Sequence, residues 1–143
     1  MNRIFVFMLM AAFLFGGCAA PMTEGVEVRD VWTRPAAQGA NGAVYFVIRS
    51  SEADEIIGAS SDVAEAVEIH ESRMSGDVME MHQVESVRLD AGDQVMFEPG
   101  GLHIMLIGLK QNINTGDEIE ITLLFKNSQD LMISVPVSNT PGS

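Results

Sequence analysis

Cysteine is almost absent from the 143-residue chain: the sole one, Cys18, lies in an apolar N-terminal segment. A single cysteine forms no disulfide within the chain. No thiolate remains after Cys18, which excludes cysteine nucleophiles, thiol oxidoreductases, iron–sulfur clusters and blue-copper sites from the rest of the chain. A metal site in that region must therefore use other side chains.

Basic residues are also scarce. Lysine and arginine number 8 against 20 aspartates and glutamates, which gives a net charge of −12. Nucleic-acid binding needs a basic surface, and so does electrostatic attraction to anionic lipid. The composition therefore argues against both partners and leaves a membrane contact only through a lipid anchor.

Helical periodicity is missing after the N-terminal segment, apart from one turn predicted near residues 62–66. Short apolar runs instead alternate with turn signals such as Asn41-Gly42 and Pro99-Gly100, which is typical of strands. The predicted strands are 26–33, 43–48, 56–60, 67–73, 78–88, 94–97, 102–109, 118–125 and 131–137. Their number and spacing predict a single all-β domain, a sandwich or barrel, over residues 26–137, followed by a flexible tail at 138–143.

Residues 1–18 are predicted to form a secretory signal. Arg3 precedes an apolar run over residues 4–15, which is too short for a comfortable membrane span. The end of this segment, Gly16-Gly17-Cys18, resembles the lipobox of bacterial lipoproteins, in which the cysteine carries the lipid. Cys18 is therefore the predicted lipidation site.

Cleavage after Ala20 is the alternative, although Pro21 makes that bond unfavourable. Residues 19–25 are predicted to be a spacer between the membrane and the domain. On either interpretation the mature domain lies outside the cytoplasm. Lipidation would make it an anchored lipoprotein of the periplasm or cell envelope.

Histidine and methionine supply the candidate ligands. His103 and Met105 stand two apart in an apolar strand and share a face. An imidazole and a thioether are neutral, soft donors that suit Cu(I). For such a tripeptide alone, a packed methionine beside a hydrogen-bonded histidine is the ordinary alternative.

A predicted hairpin offers a second pair of donors. With Ser75-Gly76 as its turn, His70 would face Met81 across the two strands, and Met79 would lie beside them as an auxiliary candidate. Exposed methionines on a polar strand face are a poor use of apolar side chains unless they pack or bind something. The hairpin therefore strengthens the case for a metal site.

Read together, these residues follow the pattern His-x10-Met-x21-His-x-Met: His70, Met81, His103 and Met105. The pattern resembles the signature of the periplasmic copper chaperones of the PCu(A)C type. Residues 67–71 and 101–109 around the ligands resemble the family as well, and so do residues 29–35 and 42–45.

The resemblance implies a cupredoxin-like Greek-key β-barrel that binds Cu(I) through His70, Met81, His103 and Met105. It also implies delivery of copper towards cytochrome c oxidase assembly, with an oxidase copper-site subunit or a Sco-type thiol protein as acceptor. Some members carry a tail rich in methionine and histidine for a second, oxidised copper. Residues 137–143 contain neither residue.

Three functions fit these observations. The first is a copper metallochaperone, the second is a copper storage or resistance lipoprotein with the same site, and the third is a structural lipoprotein with incidental histidine and methionine. An enzyme is not expected, because no local signature groups a catalytic constellation. A transfer assay and ligand variants separate the three.

Overall fold

The computed structural model describes residues 25–142. The predicted signal segment and the lipidation site at Cys18 lie outside the described residues, as does most of the predicted spacer. Within residues 25–142 no helix is long and apolar enough to cross a membrane.

Ten strands make up two sheets in the part of the chain that the structure describes. They are β1 (Val26–Thr33), β2 (Gly42–Ser50), β3 (Asp54–Ser60), β4 (Ala64–Ser75), β5 (Val78–Gln83), β6 (Val87–Leu89), β7 (Gln94–Phe97), β8 (Leu102–Leu109), β9 (Glu118–Phe125) and β10 (Leu131–Pro136). One sheet has the order β1-β2-β7-β8-β4-β5, with β2 also pairing β8, and the other has the order β10-β9-β3-β6. The predicted all-β fold is confirmed.

Two local predictions were wrong. The predicted strand over residues 78–88 is two strands, because the chain leaves β4 after Gln83 and joins β3 of the other sheet at Val87. The helical turn predicted near residues 62–66 is also absent. β4 already begins at Ala64, which is buried and pairs with Leu109 of β8.

The core lies between the two sheets and takes alternate side chains of most strands, whereas β5 contributes none. In β9 the predicted inward set, Ile119, Ile121, Leu123 and Phe125, is buried. In β2 the residues Val44, Phe46 and Ile48 face the same core. Burying one such side chain contributes about 1.5–3 kcal/mol. The opposite side of the six-stranded sheet, here called the outer face, carries the remaining side chains.

A β-bulge in β1 turns one aromatic residue onto this outer face. Asp30 has a φ of 55°, and the pairing of β1 with β2 shifts by one residue between Arg29 and Trp32. Such a bulge re-aims the side chains that follow it. Trp32 therefore pairs with Tyr45, and their ring centroids lie 4.9 Å apart.

A buried carboxylate ties the start of β3 to the loop after β9. Asp54 accepts hydrogen bonds from the backbone N–H groups of Glu55 (2.8 Å), Asn127 (3.0 Å) and Ser128 (2.9 Å). Burial acts to raise the pKa of the Asp54 carboxyl, but the hydrogen bonds from Ser128, Glu55 and Asn127 outweigh it and hold that pKa below its usual value. The charged form is the one that holds the loop.

Asp54→Asn should lower the free energy of unfolding by about 1.5–3 kcal/mol, the range for hydrogen bonds to a charged group. Because the folded-state pKa is lowered, this stabilisation is fully present above the unfolded carboxyl pKa, about 3.9. It is lost as pH falls through the folded-state value. Denaturant unfolding at several pH values measures the difference between parent and variant, which should narrow in acid. Exposed Asp62→Asn is the control, and an equal loss in both variants would contradict the assignment.

Candidate functional site

The register between β4 and β8 brings two histidines together. His70 pairs directly with His103, and Glu68 pairs with Met105 two residues away. All four side chains point to the outer face by the alternation of the strands. The imidazole centroids of His70 and His103 lie 5.9 Å apart.

The hairpin between β4 and β5 turns at Gly76 and Asp77, one residue later than predicted. Gly76 has a φ of 64°, and glycine in the first of two loop positions suits a type II′ hairpin turn. A turn at Ser75-Gly76 of type I′ would have required a positive φ at Ser75. The predicted register, with Met81 directly opposite His70, was therefore wrong by two residues.

The observed register still leaves Met81 on the outer face. Met81 lies opposite Ser72, since a shift of two residues preserves the alternation of side chains. The shift also removes an unfavourable pair of like charges. Glu71, which the predicted register sets opposite Glu80, pairs instead with His82.

The four candidate ligands follow a diagonal across three adjacent strands. Met105 and His103 lie two apart on β8, His70 lies opposite His103 on β4, and Met81 lies on β5 one step beyond. Diagonal neighbours in a sheet are about 7–8 Å apart, which long side chains can span. The long, flexible thioether of Met81 is suited to that reach.

A cleft of about 370 Å³ opens over this diagonal. Its lining includes three of the four candidates, His103, Met105 and Met81, together with Tyr45 and Ser72. Residues 34–36 and 41–43 also line the cleft. His70 does not line the cleft but lies beside it, with its ring centroid 5.9 Å from that of His103.

Glu68 determines which nitrogen of His70 is free. The Nε2 atom of His70 lies 2.7 Å from a carboxylate oxygen of Glu68, so Nε2 carries the proton and its N–H donates a hydrogen bond to that oxygen. The other nitrogen, Nδ1, is buried and has no hydrogen-bond partner. A buried acceptor without a partner is costly, and a metal ion would satisfy it.

The opposite nitrogen is free in His103, which is 3% exposed. Its Nδ1 lies 3.1 Å from the carbonyl oxygen of Gly101. A carbonyl only accepts, so Nδ1 carries the proton and Nε2 keeps its lone pair. Metal-binding histidines are held in this way, with the second nitrogen bonded to a carboxylate or a backbone carbonyl.

The donor chemistry selects among metals. Residues 25–142 contain no group of three or more histidine, cysteine, aspartate or glutamate side chains arranged to hold an ion. Zinc and hard cations prefer such ligands. Two imidazoles and two thioethers fit Cu(I).

One further candidate, Met79, lies away from the cleft. Met79 is on the outer face of β5, but it pairs with Met74 near the hairpin end and does not line the cleft. Its auxiliary role stays a prediction. Cys18 lies outside the described residues.

The sequence reasoning missed the groups that orient the histidines. Glu68 stands two residues before His70, so shared strand face was a usable signal for their contact. The Gly101 carbonyl and the ring of Tyr45, whose centroid lies 6.5 Å from that of His103, had no comparable signal. Both depend on the path of the chain around the sheet.

Comparison with known proteins supplies the wider context. A family model described as "Putative lipoprotein LpqE-like" matches residues 26–137. "Putative lipoprotein Lxx21020" of Leifsonia xyli subsp. xyli is 31% identical over 148 residues, covering 94% of this chain and 89% of that protein. "Uncharacterized protein RP573" of Rickettsia prowazekii is 32% identical over 126 residues, covering 83% of this chain and 70% of that protein.

Solved structures share the fold. The copper-bound PCuAC domain from PmoF2 matches with a TM-score of 0.66 at 21% identity, covering 79% of this chain and 92% of that domain. The CuI-DR1885 solution structure from Deinococcus radiodurans matches with a TM-score of 0.59 at 23% identity, covering 80% of each chain. The predicted cupredoxin-like fold and the resemblance to the PCu(A)C type are confirmed.

The hydrogen bonds predict opposite tautomers in the metal-free protein. At a pH where both imidazoles are neutral, His70 should be protonated at Nε2 and His103 at Nδ1. Long-range ¹H–¹⁵N correlation spectra of the two rings measure this directly. Glu68→Ala should release the tautomer preference of His70 and leave that of His103 unchanged, whereas a shared tautomer in the parent would contradict the geometry.

Proposed function

The chain belongs to the LpqE-like family, and from that premise we propose that it is an extracytoplasmic metallochaperone that binds and hands over Cu(I). One observation carries the proposal. Two oriented imidazoles, one with a buried and unpartnered nitrogen, lie in one row with two methionines, and three of these four side chains line one cleft.

The proposed ligands are Nδ1 of His70, Nε2 of His103 and the sulfur atoms of Met81 and Met105. All four donors are neutral, so bound Cu(I) would keep a charge of +1. Thioethers stay competent without a reducing compartment, unlike thiolates, which oxidise readily. Such a set suits a carrier that works outside the cytoplasm.

Exposure of the ligands supports handover rather than storage. His103 lies at the bottom of the cleft, whereas Met81 is 51% exposed on a strand at the edge of the sheet. An acceptor thiolate could displace the accessible thioether first and then take the ion by stepwise ligand exchange. Storage of copper on the same site is the second candidate, favoured by the burial of His103.

The relatives support the location and the cargo. The family description and the name of the Leifsonia xyli relative both contain the word lipoprotein, which supports anchoring of this chain at the cell envelope through Cys18. Two proteins of the same fold have copper-bound structures. The acceptor we propose is an oxidase copper-site subunit or a Sco-type thiol protein, in the assembly of cytochrome c oxidase, and the role is non-enzymatic.

Replacement of both thioethers should abolish tight Cu(I) binding while the fold persists. Leucine matches methionine in size, so the double variant Met81→Leu with Met105→Leu removes sulfur with little change in packing. Loss of a residue that only supports a metal ligand lowers metal affinity by about 10–100-fold. Loss of two ligands should lower the Cu(I) affinity by more than that. Competition with a Cu(I) chelator measures it. Met132→Leu, an exposed methionine on β10, is the matched control, and unchanged affinity in the double variant would refute the ligand assignment.

Transfer of copper to an acceptor protein distinguishes a chaperone from a copper-storage protein. The Cu(I)-loaded protein should pass its ion to a thiol protein that carries a pair of cysteines, and a strain lacking the protein should lose cytochrome c oxidase activity in copper-poor medium. Metal analysis of both proteins after separation, together with oxidase assays, measures the two effects. Oxidase activity that persists in the deletion strain, with reduced copper tolerance, would favour storage.

A further inference from the structure

The hairpin of β4 and β5 presents three methionines to solvent. Met74 is 61% exposed, Met79 55% and Met81 51%. Only Met81 lines the cleft described above. Met74 and Met79 belong neither to the hydrophobic core nor to the ligand set of the proposed Cu(I) site.

These two methionines form a direct cross-strand pair on the outer face. Met74 and Met79 are register partners one step from the hairpin turn. The backbone N–H of Ser72 donates to the carbonyl of Gly101 in the neighbouring segment and so points away from β5. By alternation, Ser72–Met81 and Met74–Met79 are both non-hydrogen-bonded pairs, in which side chains approach most closely.

The three sulfurs therefore lie on one short patch. Directly opposite Cβ atoms are about 4.5–5.5 Å apart, and Met79 and Met81 share a face at the spacing of two residues. Each thioether has three rotatable bonds with which to turn its sulfur inward. Two or three sulfurs can converge on one ion at this end of the hairpin.

The surrounding charge favours a soft cation. The outer face of β4 and β5 between Glu68 and Gln83 carries no lysine or arginine. The one arginine of the hairpin, Arg73, lies on the opposite face and is paired with Glu71. The whole chain carries a net charge of −12. A monovalent cation thus meets no lysine or arginine on this face of the hairpin, whereas Arg34 lines the neighbouring cleft.

We propose that Met74 and Met79 form a second, weaker site for Cu(I) at the hairpin end, from which the ion moves to the histidine cleft. The movement is ligand exchange: a copper–sulfur bond to Met79 or Met74 breaks as bonds to Met81 and then to the imidazoles form. No electron is transferred, and copper stays Cu(I). This second site extends the proposed function, but its existence is tested independently of the first.

The test is a titration of the full chain with Ag(I), a redox-inert probe with the same preference for thioethers, and then with Cu(I). Methionine methyl groups and imidazoles are followed by NMR. The first equivalent should shift Met81, Met105 and both histidines, and further metal should shift Met74 and Met79. Met96 and Met132, which are 49% and 61% exposed on other strands, report unspecific thioether binding and should not move over that range.

Variants separate this proposal from the first site. The double variant Met74→Leu with Met79→Leu should lose the second binding event and keep the first. His103→Ala should lose the first event and keep the shifts of Met74 and Met79. Static methyl signals for Met74 and Met79, or shifts that follow those of Met96 and Met132, would overturn the second site even where the first site binds as proposed.

Discussion

Packing of Ile69 and Ile104 against the core fixes the geometry of the histidine pair. These two residues are register partners on the inner side of β4 and β8, and both are almost fully buried. His70 comes directly after Ile69, and His103 comes directly before Ile104. Because the two strands are antiparallel, the histidines meet on the other side of the sheet. A slip of one residue would bring the isoleucines to the surface, at about 1.5–3 kcal/mol for each side chain. The hydrophobic core thus holds the polar pair in place without touching it.

The same constraint explains which features could be predicted from the sequence. Alternation of apolar and polar residues identified β9 and the face that each of its side chains takes, because burial selects that pattern, and an apolar run between turn signals identified β8. In β5 every residue is exposed, so no burial pattern specifies its register. There the register follows the turn, and the positive φ of Gly76 decides it. The error of two residues arose where hydrophobic patterning carries no information.

Features that depend on three-dimensional proximity were harder to anticipate. The bulge at Asp30 sets Trp32 against Tyr45, which lines the cleft. Nothing in the apolar pattern of β1 indicates an extra residue at that point. The contact of His103 with the Gly101 carbonyl likewise depends on the turn before β8. By contrast, the Glu68–His70 contact was accessible from the strand alternation alone.

The exposed edge strand has a consequence for the lifetime of a bound ion. Segments with few buried contacts open locally at much lower free energy than the whole domain, and β5 has no buried residue in its six positions. With Cu(I) bound as proposed, one metal–sulfur bond would tie this strand to the rigid centre of the sandwich. Fraying of β5 would withdraw that thioether while both imidazoles stay in place. The dwell time of copper would then depend on how often this hairpin opens locally. Substitutions that rigidify the turn at Gly76 and Asp77 would slow copper release without altering any ligand.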